Sequence, residues 1–380
     1  MKPKTKTLII GLLLMVMLIG FFFFSLGRQE EPLVIGFSAG LTGAASELGV
    51  SGRNGLMIAV QKINEMGGIH GREVKIVVKD DENDPQKALE TDKALYQQGI
   101  KFIIGHMTSN MAEKTLPFIN EKEMLMVTPT MSSDELSEKD DYLIRVVSSN
   151  RDEAIFMAEI YQQKPEIRRV MVLYDQSNRA YTAVIRDFFA ESFETGGEKQ
   201  VMSLAFSSEK GIDYLETIQK VVDSQPDALI ILSSAFDAAM FCQQIERLRV
   251  EMPILLSTWS MTTDLISHGG IAVEGVRIVS LINQDSEKKE YQDFADEYRQ
   301  RYEEEPSFSA VFAHDAATVL FEGIKALDSK EITSQQVKDA IIDIRSFQGL
   351  QGLIEINEYG DASREIFKYT IQNGQFVKVE

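Results

Sequence analysis

The 380-residue sequence predicts an α/β protein built on two parallel sheets. Three observations lead there. Short apolar runs alternate with amphipathic stretches of roughly 10 to 15 residues, the alternation starts afresh near Asn150, and the length suits two domains of about 150 residues each. Strands separated by helices of that size form βαβ units, whose crossovers make neighbouring strands parallel.

In chain order, "LVIGFS" reads as a strand. Ser51 to Met66 follows as a helix, with Leu56, Ala59, Val60 and Ile63 at helical spacing, and "EVKIVVKD" is the next strand. Asp84 caps a helix that Pro85 begins and that runs to about Gln98, because a side-chain carboxylate satisfies free amides and proline needs no donor there. The strand "KFIIG", a helix from about Ser109 to Asn120, and the strands "MLMVT" and "YLIRVV" complete the first half. The second half opens on the helical "RDEAIFMAEIYQQ" and the strand "RVMVLYD", then a helix from Ala180 to about Phe193 and the strand "KQVMSLAF". A helix to Val222, "DALIILS", a helix from Phe236 to Arg249, "PILLST" and "VRIVSL" continue the pattern. The amphipathic helices "YQDFADEYRQRYEEEP" and "AHDAATVLFEGIKAL" lead to a tail of two strand pairs, around Gly360 and around Asn373-Gly374, a hairpin signal.

The formal net charge of −19 argues against nucleic acid and anionic membrane surfaces as partners. The single Cys242 excludes an intramolecular disulfide and reads as a small buried hydrophobe. At the N-terminus, Lys2, Lys4 and Lys6 precede an apolar run from Leu8 to about Leu26, long enough to span a bilayer, and the leading lysines hold its start in the cytoplasm. Residues 1–27 are therefore expected to be a retained signal anchor or a signal peptide cleaved near Ser25 and Gly27, with the rest on the outer face of the cytoplasmic membrane. Arg28 stands where a lipid anchor would need a cysteine.

The chain lacks a phosphate loop, a dinucleotide glycine triplet, an HExxH pair and a GxSxG elbow. His70, His106, His268 and His314 have no second ligand at metal spacing, so neither a metal nor a cofactor is expected. "DDENDP" lacks the glycine and distal glutamate of a calcium loop and reads as a solvated loop. Two hydroxyl clusters stand out: Thr108 and Ser109 follow one strand, and Thr130, Ser132 and Ser133 follow the next. The carboxyl ends of parallel strands form one rim, where helix starts present free amides to anions, so a carboxylate or phosphate group is the expected guest. Two other readings stay open. Ser109 and Ser132 act only as helix caps, Ser132 pairing with Glu135 in a capping box, or Ser109 is the nucleophile of an α/β hydrolase with His106 as its base.

From about Leu33 to the end, the chain resembles the periplasmic solute-binding proteins of the branched-chain amino acid (Leu/Ile/Val) type that serve ABC importers. The run "INEMGGIHGREVKIVVKDDENDP" carries the likeness, with "IIGHMTSN", "LMVTPTMSSDEL" and "FAHDAATVLFEGIKAL" beside it. The resemblance implies a type I periplasmic-binding-protein fold: two similar Rossmann-like lobes joined by three hinge crossovers near Val147–Asn150, Leu281–Asp285 and Gly349–Gly352. Lobe 1 would take residues 32–148 and 283–350, and lobe 2 residues 149–282 and 351–380. It also implies a ligand carboxylate held by Ser109, with Thr108 beside it, and by Thr130, Met131 and Ser132. Asn150, with Asp152 nearby, takes the hinge position where an acid is common, and Leu48 and Arg179 fall where aromatics are common. Phe236, Trp259, Ser260 and Asp264 are the candidates expected to face the cleft from lobe 2. The function implied is capture of an amino acid or related small carboxylate by hinge closure, without covalent chemistry, for delivery to an ABC permease. A sensor that reports to a membrane receptor or kinase uses the same fold and remains the alternative.

Overall fold

The computed structural model describes residues 31–43, 46–329 and 331–379, so the expected anchor or signal segment at 1–27 lies outside the described residues. Among those described, no helix is long and apolar enough to cross a membrane.

The first half supplies β1 (Leu33–Ala39), α1 (Ser46–Glu65), β2 (Val74–Asp80), α2 (Pro85–Gln97), β3 (Phe102–Gly105), α3 (Ala112–Glu121), β4 (Leu125–Thr128) and β5 (Leu143–Arg145). Its sheet runs β2-β1-β3-β4-β5 with every pairing parallel. The second half supplies α4 (Asn150–Gln162), β6 (Arg169–Asp175), α5 (Arg179–Phe193), β7 (Gln200–Phe206), α6 (Tyr214–Asp223), β8 (Ala228–Leu232), α7 (Ala235–Leu248), β9 (Ile254–Leu256), α8 (Thr263–Gly269) and β10 (Arg277–Ser280). The parallel order β7-β6-β8-β9-β10 repeats the topology of the first sheet. In each sheet the order reverses between the first strand and the third, and that crevice at the carboxyl ends is where open α/β sheets receive ligands.

The remaining chain covers these sheets. Helices α9 (Lys289–Tyr302), α10 (Phe308–Lys325) and α11 (Ser334–Ile344) are followed by β11 (Ser346–Gln348), β12 (Leu353–Ile356), β13 (Ala362–Ser363), β14 (Phe367–Gln372) and β15 (Gln375–Val379). Helix α10 is buried along nearly its whole length and lies against α1. Gly55 explains how close they come, since a Cβ there would sit 2.1 Å from the Ala310 carbonyl oxygen. Strands β14 and β15 extend the second sheet as an antiparallel hairpin, and Asn373 and Gly374 both take the positive φ that a two-residue turn requires.

Several elements differ from expectation for identifiable reasons. Helix α1 begins at Ser46, earlier than Ser51, and so buries Leu48. Strand β5 keeps only three residues of "YLIRVV", because the chain then turns into the crossover. Helix α11 lies beyond the elements expected from the sequence, although Thr333 and Gln336 form a full capping box at its start. Asp84 does cap α2, accepting from Lys87 N at 2.8 Å, but Asp81 of the same run is buried rather than solvated.

Hydrogen bonds tie the crossovers together. Asn150 N donates to Ser132 O at 2.7 Å, and the Gln351 side chain bonds the Asn283 backbone in both directions. After the glycines at 349 and 352 the chain stays with the first sheet, since Arg145 N donates to Gly360 O and the Arg145 guanidinium pairs with Asp361 at 2.7 Å. It enters the second sheet only at Phe367.

Candidate functional site

Between the two sheets lies a small, partly open cavity, lined from the first lobe by Leu48, Met107, Ser109, Thr130 and Ser132 and from the hinge by Val147. Glu153, Asn178, Tyr181, Thr258, Trp259 and Leu281 line it from the second half, and Phe308 and Phe312 at the start of α10 close it.

The loop after β3 is aimed by its backbone. Gly105 takes a φ of +136°, and a Cβ there would meet Ser38 O at 2.2 Å, so only glycine lets β3 pass β1 this closely before the hydroxyl-bearing turn. The two hydroxyl clusters meet on one rim: Ser109 Oγ accepts from Ser132 N at 3.1 Å and from Ser133 N at 3.2 Å. With both lone pairs engaged, the Ser109 hydroxyl has its proton left to offer a guest. Thr130 Oγ1 donates to Met107 O, which leaves it acceptor capacity toward the cavity. Neither serine acts as a side-chain cap, and the expected Ser132–Glu135 capping box does not form, because the short 3₁₀ turns at 109–111 and 134–136 start from Thr108 and Ser133.

The other expected site residues separate. Trp259 lines the cavity, packed edge-on against Tyr181 with ring centroids 5.9 Å apart. Thr108 turns away and donates to Asn83 Oδ1 at 2.7 Å, shaping the loop. Met131 is buried in the core beneath the rim, and its amide is bonded to Thr128 Oγ1. Asn150 joins the lobes, accepting from Asp134 N and donating to Tyr181 O, each at 2.9 Å. Arg179 is exposed at the start of α5. Phe236 is 40% exposed and packs edge-on against His268, outside the cavity. Ser260 is tied within its own lobe, donating to Ser233 O at 2.9 Å. Asp264 also lies outside the cavity lining.

Sequence reasoning missed the most informative group, Glu153. Its carboxylate is fully buried and accepts from Thr258 N at 2.7 Å and from the Tyr181 hydroxyl at 2.9 Å. Burial pushes its pKa up, partly offset by those donors, and among the described residues no lysine or arginine lines the cavity beside it. Asn178 adds a buried carbonyl oxygen without a hydrogen-bond partner among the described residues. A signal for Glu153 was present: Asn150, Glu153, Ala154, Met157, Ala158 and Tyr161 fall on one helical face and are all buried, whereas Asp152 points outward.

His106 cannot act as a base for Ser109. It is enclosed between Asp81, 2.6 Å from Nδ1, and Asp92, 3.2 Å from Nε2. Burial alone would push its pKa down, but the charge of Asp92 and the bond to Asp81 outweigh it and raise it to about 10. Both ring nitrogens therefore carry protons at neutral pH, and the hydrolase reading loses its base.

This architecture has known relatives. The model of the periplasmic binding protein family matches residues 32–375, and the chain belongs to that family, whose members are extracytoplasmic solute-binding proteins rather than enzymes. It is 24% identical over 354 residues to the Leu/Ile/Val-binding protein BraC3 of Rhizobium johnstonii, an alignment covering 92% of this chain and 95% of that one. Among solved structures, the leucine-binding protein LivK of Thermotoga maritima superposes with a TM-score of 0.83 at 24% identity, over 92% of this chain and 98% of that one. A solute-binding protein of an ABC transporter from R. palustris, in complex with benzoate, also gives 0.83 at 19% identity, over 92% and 95%. These likenesses show the type I periplasmic-binding fold.

Proposed function

We propose that this protein captures a small zwitterion, an α-amino acid with an apolar side chain, in the cleft between its lobes and presents it to an ABC permease without transforming it. The observation that carries this reading is the buried Glu153 carboxylate, with no cation beside it among the described residues, in a cavity whose opposite rim offers the Ser109 proton. A buried carboxylate without a counter-charge is costly, and a ligand ammonium placed between Glu153 and the Asn178 oxygen removes that cost. A carboxylate placed against Ser109 and Ser132 supplies the matching acceptor, while Leu48, Met107, Leu281, Phe308 and Phe312 surround an apolar side chain. Relatives named for leucine, isoleucine and valine on one side and for benzoate on the other support a small carboxylate, and Glu153 favours the member that carries an ammonium. We place the lobes at 32–148 with 283–363 and at 149–282 with 367–380, and the N-terminal apolar run is read as the export signal or anchor.

A thermal-shift panel of the twenty amino acids, benzoate and acetate tests this reading. An amino acid with an apolar side chain, present at about 100 times its dissociation constant, stabilises the protein by roughly 2.7 kcal/mol. A shift from benzoate that exceeds every amino acid would overturn the zwitterion.

A further inference from the structure

Outside the ligand cavity, one carboxyl group reaches from lobe to lobe. Glu47, in the first turn of α1, accepts a hydrogen bond at 2.8 Å from Thr262 Oγ1, which belongs to the loop before α8 in the other lobe. Asp264, one position into α8, also faces Glu47, and Glu304, beyond the end of α9, is the third acid there. His268 Nδ1 lies 3.9 Å from Asp264 Oδ1 on the outer side of α8. Among the described residues, the groups acting most strongly on Glu47 are one hydroxyl donor and two further acids. An ionised Glu47 would be pressed against like charge in a half-buried setting whenever the lobes close.

We propose that Glu47 is a proton-operated latch: closure of the cleft takes up a proton on this carboxyl group, and its ionisation favours the open form. The Thr262–Glu47 bond runs between the two halves, so separating them would break it, and that places the latch at the closing step. Burial raises the Glu47 pKa first, the Thr262 bond opposes the rise, and the charges of Asp264 and Glu304 add to it, bringing the closed form to about 8. Opening returns the group to the ordinary carboxylate range near 4.3 or so. The sign follows from linkage: a group whose pKa is higher in the closed form binds its proton on closing. Between about pH 5 and 8 the closed form is disfavoured by up to tenfold per pH unit, and beyond that window the dependence flattens. Ligand affinity therefore falls as pH rises, which suits a protein that works on the outer side of a membrane where pH varies.

The test has two arms, of which the first rests on the amino-acid reading above. L-leucine binding is measured by calorimetry at about pH 6 and pH 8, in buffers of different ionisation enthalpy, for the wild type, Glu47→Gln and His268→Gln. Glutamine keeps an acceptor for Thr262 but cannot titrate. The wild type and His268→Gln take up close to one proton per leucine near neutrality and bind at least tenfold more weakly at the higher pH, whereas Glu47→Gln takes up none. Proton uptake that survives in Glu47→Gln overturns the latch. The second arm needs no ligand. By small-angle X-ray scattering, the wild type has a larger radius of gyration at about pH 8.5 than at about pH 5.5, and Glu47→Gln does not change. If leucine fails to bind, the amino-acid reading fails and scattering alone decides. An identical pH response in the two proteins, or none in the wild type, overturns the latch.

Discussion

Replacing Glu153 by glutamine removes one charge and exchanges one acceptor oxygen for an amide donor. Its acceptor oxygen still takes the Thr258 amide or the Tyr181 hydroxyl, and the side chain keeps its volume. A ligand ammonium about 4 Å from the carboxylate, at an effective dielectric constant of about 20, is attracted by roughly 4 kcal/mol, and part of that is lost in drying the ammonium. A net loss of about 2–3 kcal/mol, or roughly 30- to 200-fold in affinity, is expected for an amino acid. Two controls distinguish this from general damage. Without ligand, the variant keeps close to wild-type stability, because relief of the buried charge offsets the lost acceptor. A carboxylate without an ammonium loses no affinity. Calorimetric titration of L-leucine and 4-methylpentanoate, with urea unfolding of the free protein, reads all three. Equal loss for both ligands, or destabilisation of the free variant, would refute the reasoning.

Other perturbations give separate outcomes. Ser109→Ala deprives the Ser132 and Ser133 amides of their acceptor and the ligand carboxylate of its donor, so calorimetry is expected to show a loss of about 1–3 kcal/mol in binding, with a smaller loss of stability. His106→Gln leaves Asp81 and Asp92 buried without their shared cation and is expected to cost about 3–5 kcal/mol in urea unfolding. Because the folded pKa of His106 is raised to about 10, its contribution is complete below the ordinary value near 6.5 and is lost as pH rises toward 10, a decline that His106→Gln should abolish. Gly55→Ala drives a Cβ into the Ala310 carbonyl and is expected to lower stability by about 1–3 kcal/mol, seen as a reduced melting temperature.

Much of the fold was legible because its signals are local. The alternation of "KFIIG" and "MLMVT" with amphipathic helices gave parallel sheets, and Asn373-Gly374 gave the last hairpin. The rim was legible for the same reason: Ser109 and Ser132 each follow a strand that ends at the same edge. What escaped depends on contacts distant in sequence. Glu153 is a site residue only because Thr258, more than a hundred positions away, brings its amide to the carboxylate. Asp81 looked solvated until His106 was placed against it, and Arg179 looked available until α5 turned it outward. Arg145 is likewise tied to Asp361, a partner more than two hundred positions away.

The central claim is that the cavity reads both ends of a zwitterion, the carboxylate at Ser109 and Ser132 and the ammonium at Glu153. Calorimetry of L-leucine against 4-methylpentanoate, which keeps the same carbon skeleton and carboxylate but lacks the ammonium, tests it most directly. A preference for leucine of roughly 30-fold or more is predicted from the charge pair. Equal or tighter binding of 4-methylpentanoate would contradict the account.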